Sequence, residues 1–98
     1  MASIKIGRIS EDIRKELVGI FREIKDPRVS PMHSIIKIDL SSDLSHCKVY
    51  VSAVEGVEKT KESVVGLKSA AGFIRRTISG RLHLRKTPEF HFVADDSI

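Results

Sequence analysis

The sequence predicts an α+β domain with helices covering one face of a three-stranded sheet, and three observations carry that prediction. Apolar residues recur in steps of three and four over residues 6–24 and again over 64–82. They alternate singly over 36–40, 47–53 and 90–93. These are the periods of amphipathic helices and half-buried strands. Punctuation is sparse, with three prolines, six glycines and no repeat or low-complexity tract, so residues 1–98 read as one domain.

The first helix is carried by Ile6, Ile9, Ile13, Leu17, Ile20 and Ile24, widened by Phe21, with Arg14, Lys15, Glu16, Arg22 and Glu23 outside the stripe. It should stop before Pro27, because proline disfavours the α conformation in the residue preceding it. Asp26-Pro27-Arg28 then reads as a turn, and Pro31 prolongs the irregular stretch. A first strand sets Ile36, Ile38 and Leu40 against Lys37, Asp39 and Ser41, and a second sets Cys47, Val49, Val51 and Ala53 against Lys48, Tyr50 and Ser52. A link this short and polar, centred on Ser42-Asp43-Leu44, predicts an antiparallel hairpin.

Thr60 is the expected N-cap of the next helix, whose stripe runs Val64, Leu67, Ala71, Ile74, Ile78 and Leu82. Gly72 sits near its middle, where glycine costs roughly 1 kcal/mol relative to alanine. That position is read as a kink or a close backbone approach. After Pro88, Phe90 and Phe92 alternate with His91 and Val93 as a third strand. The predicted order is α-β-β-α(kink)α-β.

Charge is where the sequence speaks about partners. The whole chain has a formal charge of +4, yet the 26 residues from Ser63 to Pro88 contain no Asp or Glu. They hold Lys68, Arg75, Arg76, Arg81, Arg85 and Lys86, so this segment carries +6 and the other 72 residues carry −2. A solvated helix face usually mixes signs at i, i±4. The missing carboxylates and the preponderance of arginine, whose planar fork suits phosphate, point instead to an anionic partner.

Other chemistries find no support. His33, His46, His83 and His91 lack metal-ligand spacing, and Cys47 in an alternating strand reads as a small core residue. Asp95-Asp96 reads as a solvated acidic pair, and no nucleophile–base set is evident. Neither an enzyme nor a cofactor or metal protein is expected. Aromatic content of 5% is too sparse for a base-stacking platform. No apolar run reaches the ~18 residues a membrane span needs, and a single cysteine suits a reducing, cytoplasmic setting.

Several segments carry a resemblance to a known family. They are Lys25-Asp26-Pro27-Arg28-Val29, Ser42-Asp43-Leu44, Val49-Tyr50-Val51-Ser52, Ala71-Gly72-Phe73-Ile74-Arg75, the run Leu84 to Phe90, and Asp95-Asp96-Ser97-Ile98. In this order they resemble the bacterial ribosome-binding factor A family. The resemblance implies a type II KH-like domain in which a kink at Ala70-Ala71-Gly72 replaces the Gly-x-x-Gly clamp of other KH domains. It implies a monomeric RNA-binding protein acting on the immature 30S subunit, assisting 16S rRNA maturation near its 5′ end, notably in the cold. Family members commonly continue past Asp-Ser-Ile, so 1–98 is expected to correspond to the domain without that tail. The runner-up reading from charge alone is a protein-interaction module whose basic face docks an acidic partner protein.

Overall fold

A computed structural model of the chain describes residues 2–30 and 33–95. Pro31, expected in the first loop, and the family-matching Asp96-Ser97-Ile98 lie outside the described residues. The elements are α1 (Ala2–Glu23), β1 (His33–Leu40), β2 (His46–Ala53), α2 (Val57–Ser69), α3 (Ala71–Leu82) and β3 (Glu89–Ala94). The observed order is therefore the predicted one.

The sheet has the order β1-β2-β3, with β1 antiparallel to β2 and β3 parallel to β2. Parallel neighbours cannot be joined by a tight turn, and α2 and α3 together supply the crossover. The register aligns Leu40, Cys47 and Phe90 in one row and Ile38, Val49 and Phe92 in the next. These rows meet Ile13, Leu17 and Ile20 of α1, Leu67 of α2, and Ile74 and Ile78 of α3 in a single core. All three helices thus lie on one side. The other face carries the rows Lys37–Tyr50–Val93 and Asp39–Lys48–His91 and is open. Cys47 is fully buried in its row. Burial pushes its thiol up to about 12, with Asp39 adding a smaller push in the same direction.

Three local expectations are corrected. The alternation over residues 36–40 placed Ile36 inward, but Ile35 is the buried residue and Ile36 is 50% exposed. The pairing shifts between Ile35 and Lys37, leaving Ile36 as the extra residue of a β-bulge and reversing which isoleucine faces the core. Thr60 does not cap α2. The helix begins one turn earlier after Gly56, whose φ of 115° suits glycine. Thr60 instead sits buried inside the first turn, where its hydroxyl accepts from Ala53 N at 2.9 Å and donates to Gly56 O at 2.8 Å.

The third correction concerns the helix break. It falls at Ala70, the first residue of the Ala70-Ala71-Gly72 segment that the resemblance implied, with φ −93° and ψ 3°, and not at Gly72 as the spacing suggested. Ala70 N donates to both Gly66 O and Leu67 O, closing α2, while its carbonyl accepts from Ile74 N at 2.9 Å and opens α3. Gly72 lies within the first turn of α3, and a side chain there would meet nothing within 4 Å. The close backbone approach belongs to Gly66. A Cβ at that position would stand 2.7 Å from Val29 Cγ2 and 3.3 Å from the Asp26 carboxyl.

Candidate nucleic-acid interface

The basic segment is spread over α2, α3 and the loop that leads into β3, and the fold sorts its six cations into different settings. Ile74 and Ile78 turn one face of α3 into the core. The 3.6-residue period then leaves Arg75 and Arg76 on the solvent side. The helix closes at His83, which adopts the left-handed conformation with φ 49°. That cap turns the chain back along α3, so that Arg85 returns beside Arg75 and Arg76.

The three arginines, with Ser79, Leu84 and Thr87, line an open groove of about 410 Å³. No carboxylate lines it. Arg75 Nη2 donates to Thr87 O at 3.1 Å, which fixes the loop against the helix while leaving the guanidinium exposed. Neither Arg76 nor Arg85 meets a carboxylate among the described residues. Glu89, four residues after Arg85, faces His46 at 3.8 Å.

The remaining cations lie apart. Lys68 is exposed in the last turn of α2, across the Ala70 joint, where it also complements the C-terminal end of the helix dipole. Lys86 donates to Ser45 Oγ at 2.9 Å and ties the loop to the β1–β2 turn. Asp43 organises that turn by accepting from the Ser41 hydroxyl and from the amide and hydroxyl of Ser45. These bonds, the Ser41 hydroxyl foremost, hold the Asp43 carboxyl down at about 2.

Arg81 departs from the sequence expectation. Its guanidinium reaches Glu16 at 3.2 Å and Glu23 at 3.5 Å, both on α1. The hydrogen bond it donates to the Glu16 carboxylate is the main reason its pKa is raised further. The run from Ser63 to Pro88 has no acids of its own, but the fold brings two from elsewhere to this one arginine. Arg81 is a brace between α3 and α1, and the free positive field narrows to Arg75, Arg76 and Arg85, with Lys68 and Lys86 on its flanks.

Two groups of residues escaped the sequence reading. Phe73, in the first turn of α3, is 45% exposed, whereas Phe21, Phe90 and Phe92 are core residues. His46 and His91 meet across β2 and β3 although 45 residues separate them in the chain. Crossover pairing creates that contact, and no local spacing announces it.

Comparison with known proteins gives a consistent picture. The family model described as ribosome-binding factor A matches residues 5–98. A ribosome-binding factor A of Acetivibrio thermocellus is 50% identical over 95 residues, covering 96% of this chain and 77% of that protein. A solution NMR structure of a Thermotoga maritima protein superposes with a TM-score of 0.82 at 32% identity, covering 94% of this chain and 88% of that one. A Thermus thermophilus ribosome binding factor A, a homology model fitted into a cryo-EM map of its 30S complex, superposes with a TM-score of 0.66. It is 22% identical, and the match covers 90% of this chain and 88% of that one.

Proposed function

The chain belongs to the ribosome-binding factor A family, and from that premise we propose that it binds the free or immature 30S subunit through the phosphates of 16S rRNA. The observation that carries this reading is the groove of Arg75, Arg76 and Arg85, whose lining contains no carboxylate. Three guanidinium forks turned to solvent on one rigid helix and its returning loop form a receptor for backbone phosphate, with Lys68 and Lys86 widening the field. The α2–α3 joint is a single residue, Ala70, so contact rests on charge and shape and not on a glycine loop clamped around nucleotides.

In this role the protein is a monomeric, cytoplasmic binding protein and not an enzyme, with residues 1–98 acting as one KH-like RNA-binding unit. It assists late subunit assembly and maturation of the 5′ end of 16S rRNA, and its contribution is largest in the cold. Support comes from the family and from the groove. The fitted Thermus thermophilus relative supplies the partner by analogy.

The test is sedimentation with purified small subunits, large subunits and whole ribosomes at moderate salt. The protein should pellet selectively with free small subunits, with a log–log salt slope of roughly −0.9 for each phosphate neutralised on duplex. Replacing Arg75, Arg76 and Arg85 together by Glu should abolish pelleting and leave the circular dichroism unchanged. Pelleting that survives this triple change, or a flat salt slope, refutes the phosphate groove. An equally steep slope against polyglutamate would move the reading to an acidic protein partner.

A further inference from the structure

The open face of the sheet holds a cluster that the ribosomal reading does not use. His46 opens β2, Glu89 opens β3 directly opposite it, and His91 follows two residues later on the same face. His46 Nδ1 lies 3.0 Å from His91 Nε2 and 3.8 Å from Glu89 Oε2, and one ligand atom from each of the three residues falls within a 4.8 Å set. From this juxtaposition we propose that His46, His91 and Glu89 form a binding site for a divalent zinc ion, with water completing the coordination.

Coordination geometry supports the assignment. Two imidazole nitrogens ~2.0–2.1 Å from a tetrahedral zinc stand roughly 3.3 Å apart, and a nitrogen and a carboxylate oxygen about the same. The two histidine nitrogens therefore need to separate by only about 0.3 Å to admit the ion. Glu89 must close the remaining gap, and its side chain is 61% exposed and free to rotate.

The backbone is already fixed. Glu89 N donates to Ser45 O at 2.9 Å, and His46 N donates to Ser41 Oγ at 3.0 Å, so the starts of both strands are held before any ion arrives. The alternative for the two rings is a single N–H···N bond between exposed imidazoles, which forgoes the carboxylate. Asp39 and Lys48 line the same shallow hollow of about 400 Å³ and offset each other's charge.

The ligand set also selects the ion class. Two imidazoles and one carboxylate suit zinc and its neighbours, whereas calcium and magnesium require six or more oxygen ligands. Occupancy would staple the edge strand β3 to β2 on the face opposite the helices. The fourth position points to solvent, where a donor from a bound macromolecule can replace the water. None of these residues lines the arginine groove, so the site stands or falls independently of the ribosomal reading.

The experiment uses the full, untagged chain titrated with cobalt as an optical stand-in, followed by displacement with zinc. The expected result is a set of visible absorption bands saturating at one equivalent, abolished by zinc and untouched by millimolar magnesium. His91→Ala and Glu89→Gln should each weaken binding by about tenfold or more, as loss of a ligand must if losing an outer-shell partner alone costs 10–100-fold. His83→Ala, which alters an exposed histidine elsewhere, should change nothing. Zinc-induced NMR shifts in the unmodified protein should centre on His46 and His91, a readout that needs no variant to fold. Absence of saturable bands, unaltered affinity in His91→Ala, or shifts centred on His33 or His83 would each overturn the site.

Discussion

Substituting Gly66 by alanine tests the tertiary structure more sharply than any change on the surface. In an exposed helix interior, alanine in place of glycine gains about 0.8–1.0 kcal/mol. Gly19 in α1 is partly exposed and a Cβ there finds nothing within 4 Å, so Gly19→Ala should stabilise the domain by about that amount. Gly66 faces Val29 Cγ2 at 2.7 Å and the Asp26 carboxyl at 3.3 Å. Neither neighbour yields readily. Valine is stiff at χ1, and Asp26 is clasped by the amide, Nε and Nη2 of Arg28 at 2.6–3.2 Å. Overpacking of this kind typically costs 1–3 kcal/mol.

The net for Gly66→Ala is then a loss of about 1 kcal/mol after the helix gain is credited. The same substitution at two positions should thus differ by about 2 kcal/mol, or roughly 8–16 °C in midpoint for a domain of this size. Thermal unfolding by circular dichroism of the two variants beside the parent measures it. If Gly66→Ala rises in step with Gly19→Ala, the seating of the 26–29 loop against α2 is wrong, and the argument for the close approach fails with it.

Two further outcomes are expected. Glu16→Gln combined with Glu23→Gln releases Arg81 from its α1 partners. RNA affinity should rise and the salt slope should steepen by up to roughly one phosphate equivalent, measured by fluorescence anisotropy against ribosomal RNA at several salt concentrations; no change would mean that Arg81 is out of reach of the ligand. The carboxyls of Asp26 and Asp43 are held down from 3.8 to about 2, the first chiefly by the Arg28 side chain and the second by the Ser41 hydroxyl. Lowered folded values contribute stability that is present above 3.8 and is lost as pH falls through about 2. Midpoints should therefore drop across that window, and Asp26→Asn should flatten part of the drop; a profile identical to the parent's would exclude the Asp26–Arg28 clasp as its source.

Most of the fold was legible because it rests on periodicity. The α1 stripe, the inward row of β2 from Cys47 to Ala53, and the Val64–Ile78 stripe all follow from side-chain direction alone. Features that depend on what another segment brings were not legible. Ile35 and Ile36 are chemically alike, so only cross-strand pairing decides which one turns inward. Thr60 has the chemistry of a cap, yet Ala53 N claims its hydroxyl from β2. At the candidate interface the segment and its arginines were legible from charge. The neutralisation of Arg81 by α1, like the meeting of His46 with His91, is a product of topology and leaves no trace in local sequence.

The bulge at Ile36 bears on how the molecule behaves in a crowded solution. β1 is an outer strand, and an uninterrupted outer strand offers a ladder of amides and carbonyls on which a second chain can nucleate. Leaving Ile36 outside the pairing with β2 twists that border and disturbs its hydrogen-bonding rhythm. An apolar side chain sits exposed there, but the strand that carries it is a poor template for assembly.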